Sequence, residues 1–258
     1  MRILILSLAV ISLVACRGSE DGTLSFAPPP PPPPPTDEAI GGIWQGTDSG
    51  LTTILALSSE SGRIHFINGD GNQGFGTAVV DGTAVTINYT LVPEFGTVLI
   101  DGSTFAACSA AGTIRERLSL SLTTDCTTEL GADSTVSALL AYDNLYDRDS
   151  SLATIAGIYN DFTEILTIDA NGVLFEQNSL TGCVYNGQVS IIDSNFNAYD
   201  VLLDISGCGS ITDILNGSVF TGIATLDNIP GNPEVLIAGL TGNVAGVTVA
   251  IAFEADRL

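Results

Sequence analysis

Several stretches of this chain alternate apolar and polar residues with a period of two, and that period decides the fold class. Within residues 83–91, Val85, Ile87, Tyr89 and Leu91 share one face while Thr86, Asn88 and Thr90 share the other. Tyr199, Val201, Leu203 and Ile205 alternate with Asp200, Leu202 and Asp204, and Val247, Val249, Ile251 and Phe253 with Thr248, Ala250 and Ala252. Successive side chains of a strand point to opposite faces, so such runs bury one face and wet the other. Gly, Asn and Asp between the runs mark turns. Beyond the N-terminal region no helical periodicity is sustained, and residues 136–145 read as a strand in preference to a short helix. The expectation is an all-β protein of barrels or sandwiches.

The chain also repeats itself. Gly42-Ile43-Trp44 returns as Gly157-Ile158-Tyr159, and Thr52-Thr53-Ile54-Leu55-Ala56-Leu57 as Thr163-Glu164-Ile165-Leu166-Thr167-Ile168. Gly62 and Ile64 match Gly172 and Leu174, and residues 76–81 are echoed by residues 187–193, all at an offset of roughly 110 to 115. Two tandem domains of about 100 residues follow, each long enough to bury its own core. Their expected bounds are 40–154 and 155–258, after a signal segment (1–15) and a linker (16–39). The opening Gly-x-Trp, weakened to Gly-x-Tyr in the second copy, resembles the first strand of lipocalin- and streptavidin-like barrels. That resemblance implies an aromatic at the closed end and a small cavity in each barrel.

The N-terminus carries an address. Arg2 precedes an apolar run from residue 3 to 15, about the length of a secretory core and short of the roughly 20 residues that span a bilayer. The run ends Leu13-Val14-Ala15-Cys16, which resembles the lipobox of bacterial lipoproteins. The resemblance implies cleavage before Cys16, lipidation of its thiol and attachment to the cell envelope. Arg17 in place of Asp leans towards the outer membrane. Eight prolines at 28–35 follow, a polyproline II spacer of about 3.1 Å per residue, roughly 25 Å in all.

Once Cys16 is lipidated, Cys108, Cys126, Cys183 and Cys208 remain, an even set suited to two disulfides in an oxidising compartment. Cys183 and Cys208 lie symmetrically about Asn195, so a hairpin turning there brings them opposite each other. Cys108–Cys126 is the expected second pair. If the chain turns at residues 110–112, Cys126 lies a full strand away; the pair therefore needs a bend near residues 115–117, or a non-local partner.

Charge and motif content narrow the partners. The chain has 29 acidic and 7 basic residues, none of them lysine, for a net charge of −22. Removing residues 1–15 takes Arg2 and no acid, leaving −23. Nucleic acid and anionic head groups are repelled by such a surface. The single histidine, His65, sits between Ile64 and Phe66 and is expected on the solvated side of a strand. No catalytic or metal-ligand motif stands out, and no cofactor is implied. Glu116 shares the face of Ile114, Leu118, Leu120 and Leu122, so an unbroken strand makes it a candidate ligand-site acid; a bulge or barrel-mouth position removes it. Gly69-Asp70-Gly71-Asn72 and residues 193–200 offer oxygens for calcium, but hairpin turns use the same residues. The expected role is a binding or interaction module of the envelope. A carrier of small apolar ligands and a carboxylate-based hydrolase of envelope polysaccharide are the alternatives. The anchor has a direct test: Cys16→Ser is expected to abolish palmitate incorporation and release the protein from membranes on fractionation.

Overall fold

The computed structural model describes residues 37–161, 164–210, 212–228 and 233–258. The signal segment, Cys16 and the proline run lie outside the described residues. The remainder is all-β. Barrel A comprises β1 (Gly42–Asp48), β2 (Thr53–Ser58), β3 (Arg63–Asn68), β4 (Gln73–Asp81), β5 (Ala84–Val92), β6 (Ala106–Arg115), β7 (Ser119–Thr128) and β8 (Asp133–Asp143). Barrel B comprises β9 (Gly157–Asp161), β10 (Glu164–Ile168), β11 (Val173–Gln177), β12 (Val184–Ile191), β13 (Tyr199–Ser206), β14 (Ser218–Asp227), β15 (Val235–Val244) and β16 (Val247–Arg257). Each strand pairs antiparallel with its chain neighbour, and the last returns to the first. Both copies are thus closed barrels rather than sandwiches, and closure removes most of the exposed edge.

The alternation read from the sequence becomes the inside and outside of the barrels. On β6, Ala106, Cys108, Ala110 and Ile114 are buried, and on β7 Leu120, Leu122, Thr124 and Cys126, with mostly exposed residues between them. The repeat holds to the level of single hydrogen bonds. Trp44 and Tyr159 are fully buried at equivalent places, and each donates to a carbonyl four residues back: Trp44 Nε1 to Ile40 O at 3.1 Å, Tyr159 Oη to Ile155 O at 2.6 Å. Gly62 and Gly172 both take positive φ, +85° and +80°. Their carbonyls accept from Ala78 N and Val189 N, each at 2.7 Å.

The segment 110–112 is strand, not turn. β6 runs straight through it, and the chain reverses at residues 116–118, where Arg117 adopts φ +53°. That reversal puts Cys108 and Cys126 directly opposite each other, and they are disulfide-bonded with Cα atoms 4.1 Å apart. Cys183 and Cys208 flank the β12–β13 hairpin and form the second bridge. The same turn ejects Glu116, whose side chain is exposed; the alternation that pointed it inward ends one residue earlier. Residues 136–145 are mainly β8, and the α-helix among the described residues is a single turn, α1 (Leu152–Ile155), capped by Ser151 Oγ accepting from Thr154 N at 3.0 Å.

Strand polarity gives each barrel two unlike ends. The Trp44 and Tyr159 ends are closed by those aromatics and by the linker between the barrels. The opposite ends carry the β1–β2, β3–β4, β5–β6 and β7–β8 loops of barrel A and their counterparts in barrel B. The closed ends meet, through the Arg63–Asp200 ion pair and the stacked rings of Tyr146 and Phe196, 5.0 Å apart. Ile43, Leu57, Ala198 and Ile223 pack behind them. Both mouths therefore open away from the linker.

A Cβ at Gly62 would sit 2.3 Å from the Ala78 carbonyl oxygen, whereas one at Gly82, also of positive φ, meets nothing within 4 Å. Gly82→Ala is expected to cost only the left-handed strain, about 1 kcal/mol, and Gly62→Ala at least about twice that, read from urea unfolding midpoints. Gly172→Ala is expected to follow Gly62→Ala.

Candidate functional site

Each mouth leads into a cavity above a packed floor. In barrel A it measures about 170 Å³, with Phe66, Leu122 and Leu140 below and Asp48, Asn68 and Ser134 towards the rim. Tyr89 also lines it, and burial pushes its hydroxyl pKa up, which keeps it a neutral hydrogen-bonding group. In barrel B the cavity measures about 220 Å³ between Leu166, Leu174, Leu203 and Phe253, with Glu176, Asn178 and Tyr185 as its polar groups. These pairings of apolar wall and few polar groups are what small-ligand sites share, although both volumes lie below the usual range for drug-sized ligands. Two converging carboxylates are not found in either: Asp48 lines one cavity and Glu176 the other.

Among the described residues, the wall of barrel B is thinly paired beside its cavity. β15 covers one side of β16 through ten residue pairs, but β9 covers the other only at Asn160 and Tyr159 among the described residues. Barrel A supplies what is missing. With its amide oriented to suit every neighbour, Gln73 accepts from Ala252 N at 3.0 Å and donates to Ile251 O at 3.1 Å. One side-chain amide thereby takes the place of a strand's peptide group on the β16 edge. The same amide nitrogen donates to His65 Nε2 at 2.9 Å, which places the ring proton on Nδ1.

His65 is therefore not solvated, as a strand histidine between Ile64 and Phe66 was expected to be; it is 3% exposed, clamped between the barrels. Its ring lies over Gly239 of β15, where an added Cβ would come within 2.3 Å of Cδ2. Desolvation lowers its pKa to about 4, and the amide N–H donated to Nε2 likewise favours the neutral ring. The sequence did hold a signal for this. Ile43, Leu55 and Leu57 also face outward on β1 and β2, and so much apolar surface on an outer wall implies a cover.

A second junction lies at the closed ends. Arg117 leaves the β6–β7 turn and spreads over the rings of Tyr142, Tyr146 and Phe196, at 5.5, 5.9 and 5.0 Å from its guanidinium carbon to each centroid. Asp147 and Glu60 supply the counter-charges. Burial raises the Glu60 pKa while Arg117 opposes that rise. Arg257, at the end of β16, lies over Tyr159 in barrel B, pairs with Glu234 and donates to Thr154 O at 2.7 Å. Period-two alternation does not disclose this role of Arg117, because its partners come from separate parts of barrel A, from the linker and from the other barrel.

The two calcium candidates are turns whose oxygens are engaged by backbone. Asn68 Oδ1 accepts from Asp70 N and Asn72 N, and Asp193 Oδ1 accepts from Asn195 N. Comparison with protein-family models finds no match to this chain, and comparison with curated proteins finds none either.

His65 makes stability depend on pH with a definite sign. Between pH 6.5 and 4 the unfolded chain binds a proton at His65 that the folded chain refuses, so stability present above 6.5 is lost on acidification. The loss is expected to approach about 3 kcal/mol near pH 4 and then to saturate. His65→Asn, compared with the parent in urea melts at each pH, is expected to remove this component and leave the carboxylate contributions.

Proposed function

We propose that this chain is an exported, lipid-anchored binding module that presents two ligand-accepting barrel mouths away from its membrane. The observation that carries the reading is where the chain enters. Asp37 and Glu38 are bound to the β4–β5 turn at the closed end of barrel A: Glu38 N donates to Gly82 O at 3.0 Å and Asp37 Oδ1 accepts from Gly82 N at 2.8 Å. A tether reaching back through the eight prolines to Cys16 thus pulls on the end opposite both cavities. The outer-membrane assignment within this proposal rests on the lipobox resemblance and on Arg17 in place of Asp after Cys16.

The cavities are sized for small, largely apolar molecules. A dry apolar cavity of about 150 Å³ accommodates benzene, so 170 and 220 Å³ suit a ring of similar or slightly larger size. Polysaccharide hydrolysis has less support, because a carboxylate pair roughly 5 to 10 Å apart is required and each cavity is lined by one acid. Ligand entry is tested with indole as the probe. Indole is expected to raise the melting temperature in a concentration-dependent way, and Ile251→Trp, which fills the cavity of barrel B, is expected to halve the bound stoichiometry measured by calorimetry. Equal stoichiometry in both proteins would remove barrel B as a site, and no heat or melting shift at millimolar indole would overturn the small-ligand reading altogether.

A further inference from the structure

The mouth of barrel A is ringed by large apolar side chains that no core cluster absorbs. Leu51 in the β1–β2 loop is 83% exposed, Leu130 in the β7–β8 turn 66%, and Ile100 at the crest of the β5–β6 loop fully exposed. Phe95 and Val98 on the same loop are exposed as well. Scattered surface apolar residues are ordinary, but several converging on one end of a barrel mark an interaction surface.

Two observations show that these tips are built rather than incidental. Leu51 holds φ +68°, a left-handed conformation costly for a branched side chain, with no packing to offset it. Gly or Asn would sit there without strain. The loop 93–105 is far longer than the roughly two to five residues a hairpin needs, yet it is braced internally and to its neighbour. Leu99 N donates to Ser103 O and Gly102 N to Leu99 O, both at 2.8 Å. Leu130 N donates to the buried Ser103 Oγ at 3.3 Å, and Thr104 Oγ1 to Glu129 Oε2 at 2.9 Å. Ile100 and Leu130 therefore stand on loops fixed to each other, which lowers the ordering cost of docking.

Charge selects the occupant. Asp70, Glu94, Asp101 and Glu129 lie among the apolar tips. All five arginines of the described residues, Arg63, Arg115, Arg117, Arg148 and Arg257, sit at the closed ends or in the linker. The mouth loops thus combine apolar tips with uncompensated acid, whereas the closed ends and the linker hold the described arginines. A partner matching both features carries apolar side chains among basic ones.

We infer that the loop tips around the mouth of barrel A dock a basic polypeptide segment bearing apolar side chains, presented by a protein on the side away from the anchor. This rests on the reading of the chain as a binding module and names the partner class. An anionic lipid surface is disfavoured by the same acids, and the entry of the chain at the closed ends turns these tips away from the anchoring membrane.

The test uses the full chain carrying Cys16→Ser and three synthetic 14-residue peptides: alternating Lys/Leu, Glu/Leu and Lys/Ser. The Lys/Leu peptide is expected to bind at least tenfold more tightly than either control, and to weaken as salt rises. Leu51→Asn with Ile100→Ser, both exposed and the first relieving strain, is expected to weaken it at least tenfold while the thermal melt stays intact. Ile251→Trp is expected to leave peptide binding unchanged, so failure of indole binding and failure of peptide docking are separable. Equal binding by the Leu51/Ile100 variant, equal binding of the Lys/Ser peptide, or flotation of the protein with phosphatidylcholine vesicles in place of peptide binding would each overturn the inference.

Discussion

A strand that is exposed along one side leaves backbone donors and acceptors without partners, and the architecture turns on how β16 meets that constraint. Among the described residues, barrel B closes through two residue pairs between β9 and β16. Gln73 of barrel A bonds the middle of the β16 edge, and its amide also binds His65, which lies over Gly239 of β15. One side chain thus links closure of one barrel to the packing of the other. Buried polar groups of this kind stabilise only when all are satisfied. That is why the histidine must remain neutral and why Gly239 can carry no side chain.

This dependence fixes the direction of the molecule. With the barrels docked along β2–β5 and β14–β16, their closed ends meet at the linker, where arginines lie over aromatic rings in both: Arg117 over Tyr142, Tyr146 and Phe196, Arg257 over Tyr159. Planar guanidinium groups suit this task because they stack and pair with carboxylates at once. The mouth loops of barrel A, by contrast, carry acidic and apolar residues.

The disulfides show where the two copies part. Cys108–Cys126 joins the sixth and seventh strands of barrel A, whereas Cys183–Cys208 joins the fourth and fifth of barrel B. Each bridge closes a short hairpin, of 18 and 25 residues in sequence separation, and contributes on the order of 3 kcal/mol by restricting the unfolded chain. The core contacts at Trp44 and Tyr159 and the turns at Gly62 and Gly172 repeat; the bridges do not. Fold and cross-linking therefore follow separate rules in this chain.

Period-two alternation, repeated turn glycines and an aromatic after Gly-x were enough, read along the chain, to specify two β-domains and their equivalent positions. These are local properties: side-chain direction follows from backbone pleat, and positive φ from the tightness of a turn. The hairpin bridge at Cys183–Cys208 was legible for the same reason, since its centre at Asn195 sets the register. Tertiary structure alone decided the rest. Whether a sheet closes depends on strands 1 and 8 meeting across about 100 residues, which no local pattern encodes. Glu116 left the apolar face because a turn fell one residue after Arg115, and a shift of one position reverses every side chain. His65 and Gln73 sit eight residues apart on barrel A and Gly239 lies on barrel B, and their chemistry comes from desolvation when two outer walls meet.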